Sequence, residues 1–171
     1  MPRYVAFLRG VMPTNAKMPQ LKQAFEAVGF TNVKTVLASG NVVFDSRAAS
    51  DAALERKAEA AMTEHLGRAF YTIVRRVDAL RELLDTDPYA KFKVPAEDKR
   101  VVTFVREPAN VKLKLPLELE GARILAVKDR EIFTAYSRQA NTPVFMKLIE
   151  KTFGKDVTTR TWDTIRKCAD A

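Results

Sequence analysis

Short β-type runs alternate with helical repeats closed by glycine, and the order of these two patterns leaves few folds open. Tyr4 to Leu8 is an apolar run with β propensity, ended by Arg9-Gly10 and Pro13-Thr14-Asn15. From Met18, the apolar residues Met18, Leu21, Phe25 and Val28 recur at helical spacing, and Gly29 stands where a C-cap glycine belongs. Val33 to Leu37 and Val42 to Phe44 are β-rich pieces separated by Ser39-Gly40-Asn41, residues that tolerate the positive φ of a tight turn. Ser50 is placed to cap a second amphipathic helix carrying Leu54, Ala58, Met62 and Leu66, closed by Gly67. Phe70 to Val74 returns to strand. The order β-α-β-β-α-β predicts the split βαβ arrangement of a ferredoxin-like fold.

The pattern then repeats loosely. Asp78 is placed to cap a short helix through Leu80, Leu83 and Leu84, and Asp87-Pro88 breaks it, so the chain divides into 1–87 and 88–171. Arg100 to Val105 reads as a strand, and Asn110 to Leu117 as a short helical or irregular crossover. Ile124 to Val127 faces Ile132 to Ala135 across Lys128-Asp129-Arg130-Glu131 in a hairpin. Thr142-Pro143 opens a helix running to Phe153 with Gly154 as its cap. An extended piece around Val157 and a last helix from Thr161 or Trp162 to Cys168 complete the second half. The expected fold is α+β: two tandem ferredoxin-like (split βαβ) halves packed together as one folding unit, with the C-terminal helix in the second half. A length of 171 residues suits two small halves.

Composition removes several classes. A hydrophobic share of 47% with 29% charged residues is that of a globular chain, not a disordered or fibrous one. The longest uncharged stretch, Thr35 to Phe44, is half the roughly 20 apolar residues a membrane helix needs. The N-terminus enters a strand pattern without the features of a secretion signal, so the expected location is the cytoplasm. One cysteine, Cys168, and one histidine, His65, build neither a disulfide nor a Cys/His zinc site. No metal, cofactor or membrane partner is expected, and a monomer is the expected state. The net charge of +8 is uneven. Residues 1–87 hold 12 Lys/Arg against 10 Asp/Glu, and residues 88–171 hold 17 against 11. Such a surface attracts anions at long range, although no Lys/Arg tract marks a nucleic-acid tail.

Topology brings distant residues together. In a split βαβ sheet the third strand lies antiparallel beside the first, so Arg9-Gly10 should meet Ser39-Gly40-Asn41 where the first helix also opens. A guanidinium, a carboxamide, a hydroxyl and a helix N-terminus suit a phosphate or carboxylate. The plainer alternative is that both glycines serve turn geometry and Asn41 bonds the local backbone. A second constellation is Thr158-Thr159-Arg160-Thr161-Trp162-Asp163-Thr164, with Arg160 for a phosphate, Trp162 as a stacking platform and Thr164 beside them. There the alternative is that Thr161 caps the last helix and Trp162 packs inside. A third is the strand-to-helix segment Tyr136 to Asn141, an anion site or a polar loop. No catalytic residue is assigned. His65 is a lone imidazole near a helix end, Cys168 reads as a small apolar residue, and no phosphate-binding loop or dinucleotide fingerprint occurs.

Tyr4-Val5-Ala6-Phe7-Leu8-Arg9-Gly10, Met18-Pro19-Gln20-Leu21, Phe25, Gly29-Phe30, Val33-Lys34-Thr35 and Ser39-Gly40-Asn41-Val42-Val43-Phe44 closely resemble the bacterial family called domain of unknown function 1697. Thr159-Arg160-Thr161-Trp162-Asp163-Thr164-Ile165 with Lys167 resembles that family's Arg-x-x-Asn/Asp-Thr ending. The resemblance implies tandem ferredoxin-like subdomains and carries no established reaction. This chain departs from it at Val11 to Asn15, where many relatives carry an Ile-Asn-Val-Gly-Gly loop. The expected function is a non-enzymatic binding or interaction module for a small anionic ligand or nucleotide at Arg9, Gly10, Ser39, Gly40 and Asn41, with Arg160, Trp162 and Thr164 as a second patch. Two alternatives stand beside it. One is an acylphosphatase-like phosphate hydrolase, by analogy of fold and residue type. The other is weak RNA binding on a sheet face, which here lacks the aromatic-rich signature of RNA-recognition motifs.

Overall fold

Strand β1 (Arg3–Leu8) is the axis of the first unit in the computed structural model, which describes residues 1–109, 114–137 and 142–171. After it come α1 (Met18–Ala27), β2 (Thr31–Val36), β3 (Asn41–Asp45), α2 (Asp51–Leu66), β4 (Thr72–Arg76) and α3 (Val77–Thr86). The sheet order is β2-β3-β1-β4, antiparallel at each pairing. Every second residue of β1, namely Tyr4, Ala6 and Leu8, joins Val42 and Phe44 of β3 and Val74 of β4 in a core closed by Leu21 and Phe25 of α1 and Leu54, Ala58 and Met62 of α2. The rings of Phe30 and Phe44 stack at 4.2 Å, with Phe25 edge-on to Phe44 at 5.7 Å. The residues between them, Val5, Phe7, Val43 and Ile73, are also fully buried. Helix α2 has the expected punctuation: Ser50 Oγ accepts from Ala53 N at 3.1 Å, and Gly67 closes it at φ +74°.

Arg3 fastens one end of this sheet. Its guanidinium donates to Asp45 Oδ1 at 2.8 Å, to the Asn32 carbonyl and, through Nε, to the Ala171 carbonyl. The hydrogen bond Asn32 donates to Asp45, with Arg3 beside it, holds that carboxyl below its ordinary range despite partial burial. A depressed carboxylate contributes stability above its unfolded pKa, and that stability is lost as pH falls through the folded one.

The second unit contains β5 (Lys99–Val105), β6 (Leu117–Leu119), β7 (Ala122–Lys128), β8 (Glu131–Tyr136), α4 (Thr142–Phe153) and β9 (Val157–Thr161), which runs into α5 (Trp162–Ala169). Its sheet order, β6-β7-β8-β5-β9, repeats that of the first sheet once the short β6 is set aside. The first strand of each unit lies between its third and fourth. Both fourth strands also pass directly into a helix, at Arg76-Val77 and Thr161-Trp162. The core here is Val101, Val105, Ile124, Ile132, Phe145, Leu148, Ile149 and Val157 with their neighbours. The expected hairpin is present, with Val127 opposite Ile132 and Lys128 opposite Glu131.

Several boundaries differ from expectation for physical reasons. The fourth strand is displaced from 70–74 to 72–76 because its register is set by β1, with Leu8 opposite Thr72 and Tyr4 opposite Arg76, while Phe70 is buried in the core ahead of it. Strand β6, paired with β7, begins at Leu117, the last residue of the segment expected to be a crossover, and runs to Leu119, where no strand was expected. Residues 110–113 of that crossover and residues 138–141 of the third candidate segment lie outside the described residues. The chain divides into 1–85 with 166–171, and 86–165. The end of the C-terminal helix, expected with the second half, thus belongs with the first. Its carbonyls explain this: Ala171 O accepts from Arg3, and Ala169 O accepts from Arg81 at 3.1 Å. Among the described residues, no helix is long and apolar enough to cross a membrane.

Candidate functional site

The end of β1 and the start of β3 meet as the topology requires. Phe7 lies opposite Asn41, and Leu8 N donates to the Gly40 carbonyl at 2.8 Å. Arg9 follows, half-buried, with its N–H donated to the Tyr71 carbonyl at 2.9 Å, so its backbone is fixed between β3 and the segment leading into β4. Arg9, Gly10, Ser39, Gly40 and Asn41 therefore share one edge of the first unit.

Two residues hold this edge in shape. Gly40, at φ +86°, has its open side against the chain after β1. A Cβ there would come within 2.9 Å of Val11 Cγ2 and 3.0 Å of the Leu8 carbonyl oxygen. Gly40→Ala is expected to cost about 2 kcal/mol or more in a urea unfolding series, since it combines left-handed strain with a backbone clash. A cost below about 0.5 kcal/mol would show that loop and turn are not packed this tightly. Asn15 orders the loop itself. Its Oδ1 accepts from Met12 N at 2.8 Å and its Nδ2 donates to the Gly10 carbonyl at 2.9 Å.

Asn41 is fully buried, and its Nδ2 donates to the Val36 carbonyl at 3.0 Å and to Ser39 Oγ at 3.1 Å. A carboxamide has two N–H donors, so these bonds engage both. Asn41 thus organises the turn and orients Ser39, which lies exposed at the rim. Helix α1 starts after Lys17 with no side-chain cap, Pro19 in its first turn and no acidic residue there. The loop and helix start carry only positive charge, Arg9 and Lys17.

A cleft of about 390 Å³ adjoins the loop, lined by Asn15, Gln20, Gln23 and His65 with Ala16, Ala24 and Leu66. Its lining offers His65 no serine, cysteine or carboxylate with which to form a nucleophilic pair. In the second unit, a groove of about 840 Å³ carries Glu97, Asp98, Glu118 and Glu120 against Lys93 and Arg123, with Asp98 paired to Arg123 at 3.1 Å. Its excess of carboxylates disfavours anions.

The second constellation lies in the other unit and is built differently. Trp162 is buried, edge-to-face with Tyr89 at 5.2 Å, so its ring is a packing element rather than the exposed stacking platform considered from sequence. Tyr89 itself is buried with its hydroxyl between the Val101 and Thr134 carbonyls, and burial pushes that phenol well above its usual pKa. Arg160 folds back onto Thr158 Oγ1 at 2.9 Å and the Thr159 carbonyl at 2.7 Å. Thr161 caps α5 by accepting from Thr164 N, and its hydroxyl bonds Thr164 Oγ1. Arg160, Trp162 and Thr164 are thus engaged in local structure. Among the described residues, no group of three or more His, Cys, Asp or Glu side chains is placed to hold a metal ion.

Comparison with known proteins places this geometry. None of the curated proteins matches the chain. A solved structure, that of a conserved bacterial protein from Streptococcus pneumoniae, is similar over 99% of this chain and 97% of its own, with a TM-score of 0.72 at 20% identity. That likeness is one of fold. The family model described as "Protein of unknown function (DUF1697)" matches residues 1–133, more than half of the sequence and all of the Arg9–Asn41 edge, so the chain belongs to the DUF1697 family.

Proposed function

We propose that this protein is a non-enzymatic binding module for a small anion, a phosphate or carboxylate group, at the edge where β1 ends and β3 begins. One observation supports the reading: the Phe7–Asn41 register and the Gly40–Val11 packing put the segments of Arg9 and Ser39 at the same end of the β1–β3 pair, and the loop from Arg9 leads into a helix start that holds no acid. Arg9 supplies the charge and a planar set of donors, Ser39 a hydroxyl, and the exposed Gly10, with open space on its Cβ side, lets the backbone approach, while Gly40 packs the turn against Val11. Asn41 positions Ser39. Arg160 and Thr164 form at most an accessory patch in the other unit. The shared strand order of the two sheets supports treating each unit as a ferredoxin-like half.

The hydrolase alternative needs the Asn41 carboxamide to donate to a substrate or water, and both of its hydrogens are engaged in the turn. The RNA alternative needs an exposed sheet face, whereas Val5, Phe7, Val43 and Ile73 are fully buried. Both observations weigh toward binding.

The test is a thermal shift at fixed ionic strength with inorganic phosphate, acetate, nucleotides and short RNA. A ligand that binds only the folded chain, at about 100-fold over Kd, adds about 2.7 kcal/mol. The expected result is a rise of several degrees with phosphate, lost in Arg9→Ala and kept in Lys112→Ala. Equal loss in both variants, or no response in the wild type, would contradict the proposal. Arg9-dependent turnover of an acyl phosphate would favour the hydrolase instead.

A further inference from the structure

The same edge exposes apolar side chains that an inorganic anion does not need. Among the described residues, four large hydrophobics are exposed, and two of them, Met12 at 54% and Leu37 at 49%, lie within three residues of Arg9 and Ser39 in the chain. Met12 follows Val11, and Leu37 opens the turn that Gly40 closes, so the Val11–Gly40 approach draws their segments together. A single exposed leucine is ordinary. Leu37 is not, because it is also left-handed at φ +59°. The other described non-glycine residues at positive φ are Asn32, Asp87, Glu120 and Asp129, all polar. Asparagine at position 37 would relieve the backbone and hydrate better, so Leu37 gains neither packing nor conformational comfort within the chain. Met12 is equally held in the open, with its N–H and carbonyl both engaged by Asn15.

Resting on the anion reading above, we infer that the ligand is a small amphiphile: a phosphate or carboxylate held by Arg9 with a short apolar chain covered by Met12 and Leu37. The positive charge selects the head, and the two exposed side chains give the tail a surface to cover. The occupant is soluble and monomeric, not a lipid surface.

The experiment measures Kd for inorganic phosphate, methyl phosphate and hexyl phosphate, all below micelle formation, on wild type, Arg9→Ala, Met12→Gln and Leu37→Asn. With about half of the six carbons covered, hexyl phosphate is expected to bind roughly 50-fold more tightly than methyl phosphate. Leu37→Asn should keep or raise the melting point of the ligand-free chain and leave inorganic phosphate binding unchanged. It should cut the hexyl advantage to less than about 5-fold, as should Met12→Gln, whereas Arg9→Ala should remove binding of all three. Equal affinities for methyl and hexyl phosphate, with Arg9-dependent phosphate binding intact, would overturn this inference and leave the anion site standing. Survival of the hexyl advantage in both apolar variants would overturn it as well. Flotation on phosphatidylglycerol vesicles without a response to hexyl phosphate would assign the surface to a membrane and refute the inference. Absence of all three affinities would overturn both readings.

Discussion

Replacing Glu55 by alanine is expected to cost the fold roughly 3 kcal/mol, although Glu55 takes no part in the candidate site. Strand β4 is an edge of its sheet, and its Thr72 and Val74 N–H groups face away from β1. Helix α2 lies across them and supplies two carboxylates. Glu55 Oε2 accepts from Val74 N at 2.9 Å and Glu59 Oε2 from Thr72 N at 3.3 Å. The spacing matches, since two strand residues rise about 6.6 Å and four helical residues about 6 Å. An edge that would otherwise recruit another strand is closed from within the unit. Glu55 is 3% exposed, so its loss leaves a buried donor without its acceptor. Glu59→Ala, at a longer bond and a half-buried site, should cost about 1 kcal/mol, and Glu55→Gln should recover part of the loss by keeping an acceptor oxygen. Urea unfolding measures all three, and light scattering should show Glu55→Ala self-associating. A Glu55→Ala cost below about 1 kcal/mol with no self-association would contradict the edge-sealing role.

Removing residues 166–171 should have the next largest effect. Cys168 and Ala169 are buried to within 1%, and two carbonyls of this segment accept from Arg81 and Arg3 in the first unit. Their apolar burial and two hydrogen bonds together represent roughly 3–4 kcal/mol. For a chain of this size, that lowers the melting point by about 10 °C. The fragment 1–87, which also lacks this segment, is expected to show no cooperative transition of its own. A fragment melting like the whole chain would contradict the one-folding-unit reading.

The first unit was legible because its signals are local. Ser50 and Gly67 mark α2 by backbone chemistry alone, and the hairpin around Ser39-Gly40-Asn41 follows from residues that accept positive φ. Once the element order is set, antiparallel pairing of β1 and β3 places Arg9-Gly10 at the same end as the Ser39-Gly40-Asn41 turn. Features that depend on distant partners were not legible. Arg75, just past the strand expected to end at Val74, is paired with Val5 of β1 and is 1% exposed. Trp162 carries the same chemistry for stacking on a base or on Tyr89, and only the fold chooses between them. Asn41 is ambiguous in the same way, since one carboxamide serves a ligand or a turn. Leu37 looked like the last residue of a strand, and neither its left-handed backbone nor its exposure has a sequence signature.

The central claim is that an anion is held at the Arg9 edge and not merely attracted by the net charge of +8. The most direct test is a titration of the ¹⁵N-labelled chain with inorganic phosphate at constant ionic strength, following each backbone amide by NMR. The amides of Arg9, Gly10, Ser39, Gly40 and Asn41 are expected to move together with one saturating Kd, those of Thr158 to Thr164 to stay still, and the response to vanish in Arg9→Ala. Shifts that never saturate and spread over basic residues in both units, with Gly10 and Gly40 unmoved, would contradict it.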